Sequence, residues 1–157
     1  MSIETVRAYL AGYGYEEKII ELPESSATVA LAAEALHTDP DQIAKTLAFE
    51  VGEHPIVVVV AGNRKIDNAK YRRRFSAKAK MISPDALVEK VGHAMGGVCP
   101  FAVRDGVEIY LDESLRDWNT VFPACGSGNS AIELSIPELE KLCPSAEWVD
   151  VSKKTGQ

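Results

Sequence analysis

Apolar and polar positions follow helical and strand periods in turn along most of the chain. Apolar residues at helical spacing predict one helix over residues 3–13 and a second that begins at Ser26 or Thr28 and ends before Pro40. Between them, KIIEL at 18–22 has the composition of a short strand. The first quarter of the chain therefore predicts helix, strand and helix.

Two apolar runs follow in the middle of the chain. IAKTLAFEV at 43–51 and PIVVVVAG at 55–62 are separated by a short polar segment around Gly52. This pattern predicts a hairpin or a closely spaced pair of strands at the centre of a sheet.

The second half of the chain again mixes both periods. SPDALVEKVG predicts a helix over 83–92 that is capped by Ser83 and buries Val88 among other apolar residues, and a last helix is predicted to begin at Ser135. Three further strand signals are VEIYLD at 107–112, WNTVF at 118–122 and AIEL at 131–134.

About five helices and six or seven strands in mixed order predict an α/β protein. Several strands are too close in sequence for the long crossovers of a doubly wound sheet, so a mixed, barrel-like β-sheet flanked by helices fits better. The length of 157 residues and a hydrophobic content of 46% are typical of one globular domain, which we expect to span residues 1–157.

Composition also limits the class of protein. The longest apolar run, IVVVVA at 56–61, is too short for a membrane span, and the N-terminus is charged, so we expect a cytoplasmic protein that does not enter the membrane. The three cysteines and three histidines match no disulfide framework or metal-ligand spacing. We therefore expect reduced thiols, no metal and no cofactor.

Positive charge is concentrated in one segment. Residues 64–80 hold eight Lys or Arg against one Asp, a local charge of +7 in a chain whose net charge is −6. With Asp67 as N-cap, helical spacing places Tyr71 and Phe75 on the buried side. The opposite side then carries Lys70, Arg72, Arg73 and Arg74. This face favours an anionic partner, although a solvated helix that balances acidic neighbours gives the same pattern.

Lys45 interrupts the first hairpin strand. Alternation places it on the same face as Ile43, Leu47 and Phe49. Its stem can pack against these residues while the ammonium reaches water, or the ammonium can be a cation inside a ligand pocket.

Two glycine-rich loops add candidate chemistry. In GGVCP at 96–100, Gly96 and Gly97 permit close approach of the backbone to a ligand, Pro100 fixes the exit of the turn, and the N–H groups can bind an oxyanion. In ACGSGNS at 124–130, small residues stand beside side chains that form hydrogen bonds: Gly126, Ser127, Gly128 and Asn129.

The motifs IAKTLAF, VVVVAGNRKID with the basic helix, GGVCPF and GSGNSAIEL occur in this order between residues 20 and 142. The ordered set resembles the YbaK/EbsC-type aminoacyl-tRNA deacylases, which share a fold with the editing domain of bacterial prolyl-tRNA synthetases. The resemblance implies a barrel-like mixed α/β fold and hydrolysis of mischarged aminoacyl-tRNA. It also implies a small amino acid such as Ala or Cys on tRNA for proline, with prolyl-tRNA synthetase as a further partner.

The resemblance also suggests roles for individual residues. Lys45 is expected in the substrate pocket, where it could bind a terminal phosphate or ribose or assist the oxyanion, and the backbone of Gly96 and Gly97 is expected beside the aminoacyl carbonyl. Further substrate contacts are expected from Val98, Cys99, Pro100, Gly126, Ser127, Gly128 and Asn129, with the Cys99 side chain in the pocket wall. Lys70, Arg72, Arg73 and Arg74 are expected to contact the tRNA backbone.

Two other classes fit the same residues. A module of the same fold could bind aminoacyl-tRNA or a nucleotide without hydrolysis. A thiol enzyme could use Cys99 as nucleophile, with a base such as His93.

Overall fold

The computed structural model describes residues 2–155. Five α-helices lie in this range: α1 (Ser2–Ala11), α2 (Val29–Leu36), α3 (Asn68–Phe75), α4 (Leu87–Lys90) and α5 (Ile136–Leu142). The strands are β1 (Ile20–Glu21), β2 (Ile43–Val51), β3 (His54–Ala61), β4 (Arg64–Ile66), β5 (Glu108–Asp112), β6 (Thr120–Pro123), β7 (Ser130–Ala131), β8 (Leu134–Ser135), β9 (Glu147–Val149) and β10 (Ser152–Lys154). No helix within residues 2–155 is long and apolar enough to cross a membrane.

Six strands form one mixed sheet in the order β8-β6-β2-β3-β5-β9. The pairs β2–β3 and β6–β8 are antiparallel, whereas β2–β6, β3–β5 and β5–β9 are parallel. The sheet curls into a half-barrel, which confirms the predicted fold class. The remaining strands form two short antiparallel pairs, β1 with β7 and β4 with β10.

The β2–β3 hairpin is the centre of this sheet. Its register runs from Ala44 opposite Ala61 to Val51 opposite His54. Gly52 in the connecting turn has a φ of 64°, a left-handed conformation that favours glycine. The predicted hairpin is confirmed.

Both faces of the hairpin are buried, which explains the unbroken run of valines. Ala48, Val57 and Val59 contribute to the main core beneath α1 and α5, while Val58 and Val60 face a second cluster that includes Tyr71 of α3. Alternate residues along each strand thus enter different apolar layers.

The caps of two helices agree with the sequence. The Asp67 side chain accepts the Lys70 N–H at the start of α3. At α5, Ser135 and Glu138 form a capping box. These bonds fix where each helix begins.

The segment 83–92 departs from its prediction. It forms a 3₁₀ turn at Pro84–Ala86 and then the single turn of α4, and Ser83 makes no side-chain cap bond. Val88 is 51% exposed although it was expected inside. An element this short has no continuous apolar face, and the 3₁₀ turn changes the direction of the side chains that follow it.

Candidate active site

A cavity of about 510 Å³ opens beside β2. Apolar residues from several elements form most of its wall: Ala27, Val29, Ala32, Leu36, Ile43, Ala44, Leu47, Ala48, Met81, Ile82, Leu87, Met95, Gly96, Val98, Phe122, Ala124 and Ala131. This volume is suited to a small ligand. Polar groups are few there and are therefore informative.

An open strand edge forms one side of the cavity. β2 pairs with β6 only at Ile43 and Ala44. Farther along, Ala48 O accepts the N–H of Ile82 at 3.0 Å. Among residues 2–155, residues 45–47 between these contacts have no strand partner on this side. Backbone groups alternate along a strand, so the N–H and C=O of Thr46 point to this open edge, as the carbonyl of Ala48 does.

Lys45 lies at this edge, lines the cavity and is half-buried. Its Nζ donates to the carbonyl oxygen of Gly62, in the turn between β3 and β4, at 3.3 Å and also to that of Arg64, the first residue of β4. Burial lowers the pKa of Lys45, and the nearby Asp41 carboxylate partly opposes this shift. The third N–H of the ammonium has no acceptor among residues 2–155.

The two glycine-rich loops are in direct contact. A Cβ built at Gly97 would stand 2.6 Å from the carbonyl of Gly126, and one at Gly96 would stand 3.8 Å from the Cα of Gly128. The absence of side chains at these positions lets the two backbones pack together. The structure therefore brings together two segments that are almost thirty residues apart in sequence.

The backbone N–H groups of the first loop differ in whether they already form a hydrogen bond. Gly97 donates its N–H to the carbonyl of Ala94 at 3.0 Å, so this group is not available to a ligand, contrary to the prediction. The N–H groups of Gly96 and Val98 have no acceptor within the described part of the chain, and both residues line the cavity. They are the candidate donors to an oxyanion.

The second loop is held by its own hydrogen bonds. Ser127 Oγ donates to Ser130 Oγ at 2.8 Å or to Asn129 Oδ1 at 2.9 Å, and Ser26 N–H donates to Gly128 O at 2.6 Å. Gly126, Ser127, Gly128 and Asn129 do not line the cavity, whereas the flanking residues Ala124, Ser130 and Ala131 do. This loop therefore does not form the cavity wall itself but connects residues that do.

Cys99 points into the core and not into the cavity. It is fully buried, and its Sγ lies 3.5 Å from Nε2 of His93, a ring that is also buried. Burial raises the pKa of the Cys99 thiol to about 12 and lowers that of His93. The prediction that Cys99 shapes the pocket wall is wrong, because the chain turns inward between Val98 and the buried Pro100.

The basic helix divides into two pairs of side chains. Lys70 forms an ion pair with Asp150 at 2.9 Å, and Arg74 forms one with Glu147 at 2.7 Å. The side chains of Arg72 and Arg73 are exposed and have no partner among residues 2–155. Lys70 and Arg74 therefore balance acidic neighbours, whereas Arg72 and Arg73 are available to an anion.

Residues 23–142 match the family of aminoacyl-tRNA editing domains. The chain belongs to this family. It is 47% identical to the uncharacterized protein YwhH of Bacillus subtilis over 98% of both chains. It is also 33% identical to the proline–tRNA ligase of Shouchella clausii over 69% of this chain, which spans only 19% of that ligase.

Two solved structures are similar to this chain. A protein described as a candidate trans-editing enzyme for prolyl tRNA synthetase superposes with a TM-score of 0.87, at 29% identity and 97% coverage of both chains. The hypothetical protein APE2540 superposes with a TM-score of 0.78 at 22% identity, covering 91% of this chain and 99% of its own, and shows a likeness of fold.

Three cavity residues of this editing domain were not predicted. The Thr46 hydroxyl is buried without a hydrogen-bond partner in residues 2–155. Met81 and Met95 line the cavity but are 60% and 65% exposed. The only feature of the sequence that pointed to Thr46 was its position next to Lys45. The methionines lie in irregular segments, where periodicity gives no signal.

Proposed function

We propose that this chain is an aminoacyl-tRNA deacylase that acts on mischarged tRNA in trans. The observation that carries the proposal is that Lys45 lines the same cavity as Gly96 and Val98, whose N–H groups have no acceptor among residues 2–155, in an editing-domain chain. The cavity has room for a small aminoacyl group with the terminal ribose at its mouth. Its apolar wall suits a small amino acid such as Ala or Cys.

The reaction needs no protein nucleophile. A water oxygen attacks the aminoacyl carbonyl carbon, the bond to the ribose oxygen breaks, and the ribose oxygen takes a proton that the attacking water gives up. The N–H groups of Gly96 and Val98 would stabilise the negative charge that develops on the carbonyl oxygen. An aminoacyl ester is already activated, so positioning supplies much of the rate enhancement.

Lys45 would hold the substrate through its remaining ammonium N–H. Hydrogen bonds from the ammonium to two carbonyl oxygens favour its charged form, and the group can contact the terminal phosphate, the ribose or the developing oxyanion. Cys99 has no part in this chemistry, because a fully buried thiol with a pKa of about 12 is not a nucleophile near neutral pH.

The relatives and the distribution of charge support tRNA as the partner. Proline–tRNA ligases are among the related proteins, which supports tRNA for proline as the carrier and prolyl-tRNA synthetase as a partner. The side chains of Arg72 and Arg73, which have no partner among residues 2–155, could contact phosphates independently of the nucleotide sequence. We expect residues 1–157 to act as one domain in the cytoplasm.

The test is a deacylation panel. Ala, Ser, Thr and Cys esters of tRNA for proline are incubated with the protein, and release of labelled amino acid is compared with spontaneous hydrolysis. The proposal expects catalysed release of at least one small amino acid. Binding of charged tRNA without release would indicate the non-catalytic module instead.

A further inference from the structure

Asp41 connects three parts of the chain near Lys45. It lies in the 3₁₀ turn Pro40–Gln42, immediately before β2. Its Oδ1 accepts the backbone N–H of Asn63 at 3.1 Å, and its Oδ2 accepts the indole N–H of Trp118 at 3.0 Å. Both carboxylate oxygens are thus engaged by protein donors.

The turn that Asp41 holds is the one that binds Lys45. Asn63 lies between Gly62 and Arg64, whose carbonyls accept the Lys45 ammonium. Gly62 is also pressed against the preceding turn, since a Cβ there would stand 1.9 Å from the Pro40 carbonyl oxygen. The position of the two carbonyls therefore depends on the turn at residues 39–42.

We infer that Asp41 is a positioning residue for Lys45 in the deacylation reaction: its carboxylate fixes the 62–64 turn, and this turn aims the ammonium at the cavity edge. The inference rests on the proposed function for its catalytic consequence. The contact chain itself is independent of that function.

The negative charge of Asp41 also supports its role beside Lys45. The Asp41 carboxylate favours the charged form of Lys45, whose pKa burial lowers. Other charged residues surround the adjoining cleft: Asp39, Arg64, Asp117 and Lys154. Arg64 is occupied by an ion pair with Asp117 at 3.3 Å. Among these acidic residues, Asp41 is the one whose carboxylate accepts a backbone N–H of the 62–64 turn, that of Asn63.

The experiment compares Asp41→Ala, Asp41→Asn and Asp117→Asn in the full-length chain. Asparagine keeps an oxygen for the Asn63 N–H, alanine keeps none, and Asp117→Asn is a matched control that removes a charge from the same cleft. Circular dichroism establishes folding. If Asp41→Ala does not fold, Asp41→Asn carries the test.

Two measurements are made on each folded variant. The first is single-turnover deacylation, in which Asp41→Ala should lower the maximal rate by about tenfold to a hundredfold through misplacement of Lys45. Asp41→Asn should fall between this variant and wild type, and Asp117→Asn should match wild type.

The second measurement is the ¹⁵N NMR signal of the Lys45 ammonium, assigned by its loss in Lys45→Arg. Hydrogen bonds to two carbonyls should slow its proton exchange in wild type, and Asp41→Ala should accelerate that exchange. A changed signal with unchanged deacylation would contradict the role of Lys45 in catalysis and with it the catalytic part of the inference. An unchanged signal in folded Asp41→Ala, or in folded Asp41→Asn where alanine prevents folding, would overturn the positioning role.

Discussion

Gly97 and Gly126 meet backbone to backbone, with 2.6 Å between the carbonyl of Gly126 and the place that a Cβ of residue 97 would occupy. Real Cβ atoms do not come this close to a backbone carbonyl. The two glycine loops are therefore held at a separation that only glycine at 97 permits.

Gly97→Ala should accordingly destabilise the fold. The added methyl group must push the two loops apart, which we expect to cost about 1–3 kcal/mol in the free energy of unfolding. Gly128→Ala is the matched control, because its Cβ would lie 3.6 Å from that of Ala27, an ordinary contact. Urea unfolding of both variants makes the comparison, and equal stability of the two would refute the close packing.

Cys99 should be dispensable for hydrolysis. Cys99→Ser and Cys99→Ala should retain deacylation within about tenfold of wild type, since loss of a true nucleophile lowers turnover by far more. Iodoacetamide should not label Cys99 in the folded protein near neutral pH, because burial raises the thiol pKa to about 12. A thousandfold loss in folded Cys99→Ala, together with a trapped thioester, would favour the thiol enzyme.

His93 should make stability depend on pH below neutrality. Burial lowers its pKa in the folded protein below its usual 6.5, so the unfolded chain takes up a proton first as pH falls. Stability should be full above about pH 6.5 and should decline as pH falls towards the lowered pKa of the folded state. Denaturant unfolding between pH 7 and pH 5 should show a weaker decline in folded His93→Gln, and equal slopes would count against the buried neutral ring.

The basic helix should contain two functional classes. Arg72→Glu with Arg73→Glu should weaken tRNA binding and reduce the slope of log affinity against log salt by ~1.5–2, because two phosphate contacts are lost. Removing Lys70 and Arg74 should instead change mainly stability, by about 0–1 kcal/mol for each exposed pair. Fluorescence titrations at several salt concentrations separate the classes, and identical slopes for both double variants would leave the helix merely solvated.

Signals from residues close together in sequence predicted much of the fold. The turn at Gly52, the cap at Asp67 and the start of the last helix at Ser135 all depend on residues close in sequence, and each was confirmed. β4, β9 and β10 were missed, because strands of three residues carry too few positions to show a period.

The site was less predictable, because its geometry depends on tertiary contacts. Sequence alone suggested Lys45 and the two loops. It gave no sign that Cys99 turns inward, that Gly97 donates to Ala94, or that the ammonium binds the turn at Gly62. Each of these depends on the direction of a single side chain or hydrogen bond, and the pattern of apolar and polar residues does not encode that direction.

The most direct test of the account is single-turnover release of labelled alanine from tRNA for proline by wild type, Lys45→Ala and the control Lys65→Ala, whose lysine is exposed on β4. We expect wild type and Lys65→Ala to release alanine well above the spontaneous rate, and folded Lys45→Ala to be slower by on the order of a hundredfold. Wild-type turnover in folded Lys45→Ala would contradict the central claim.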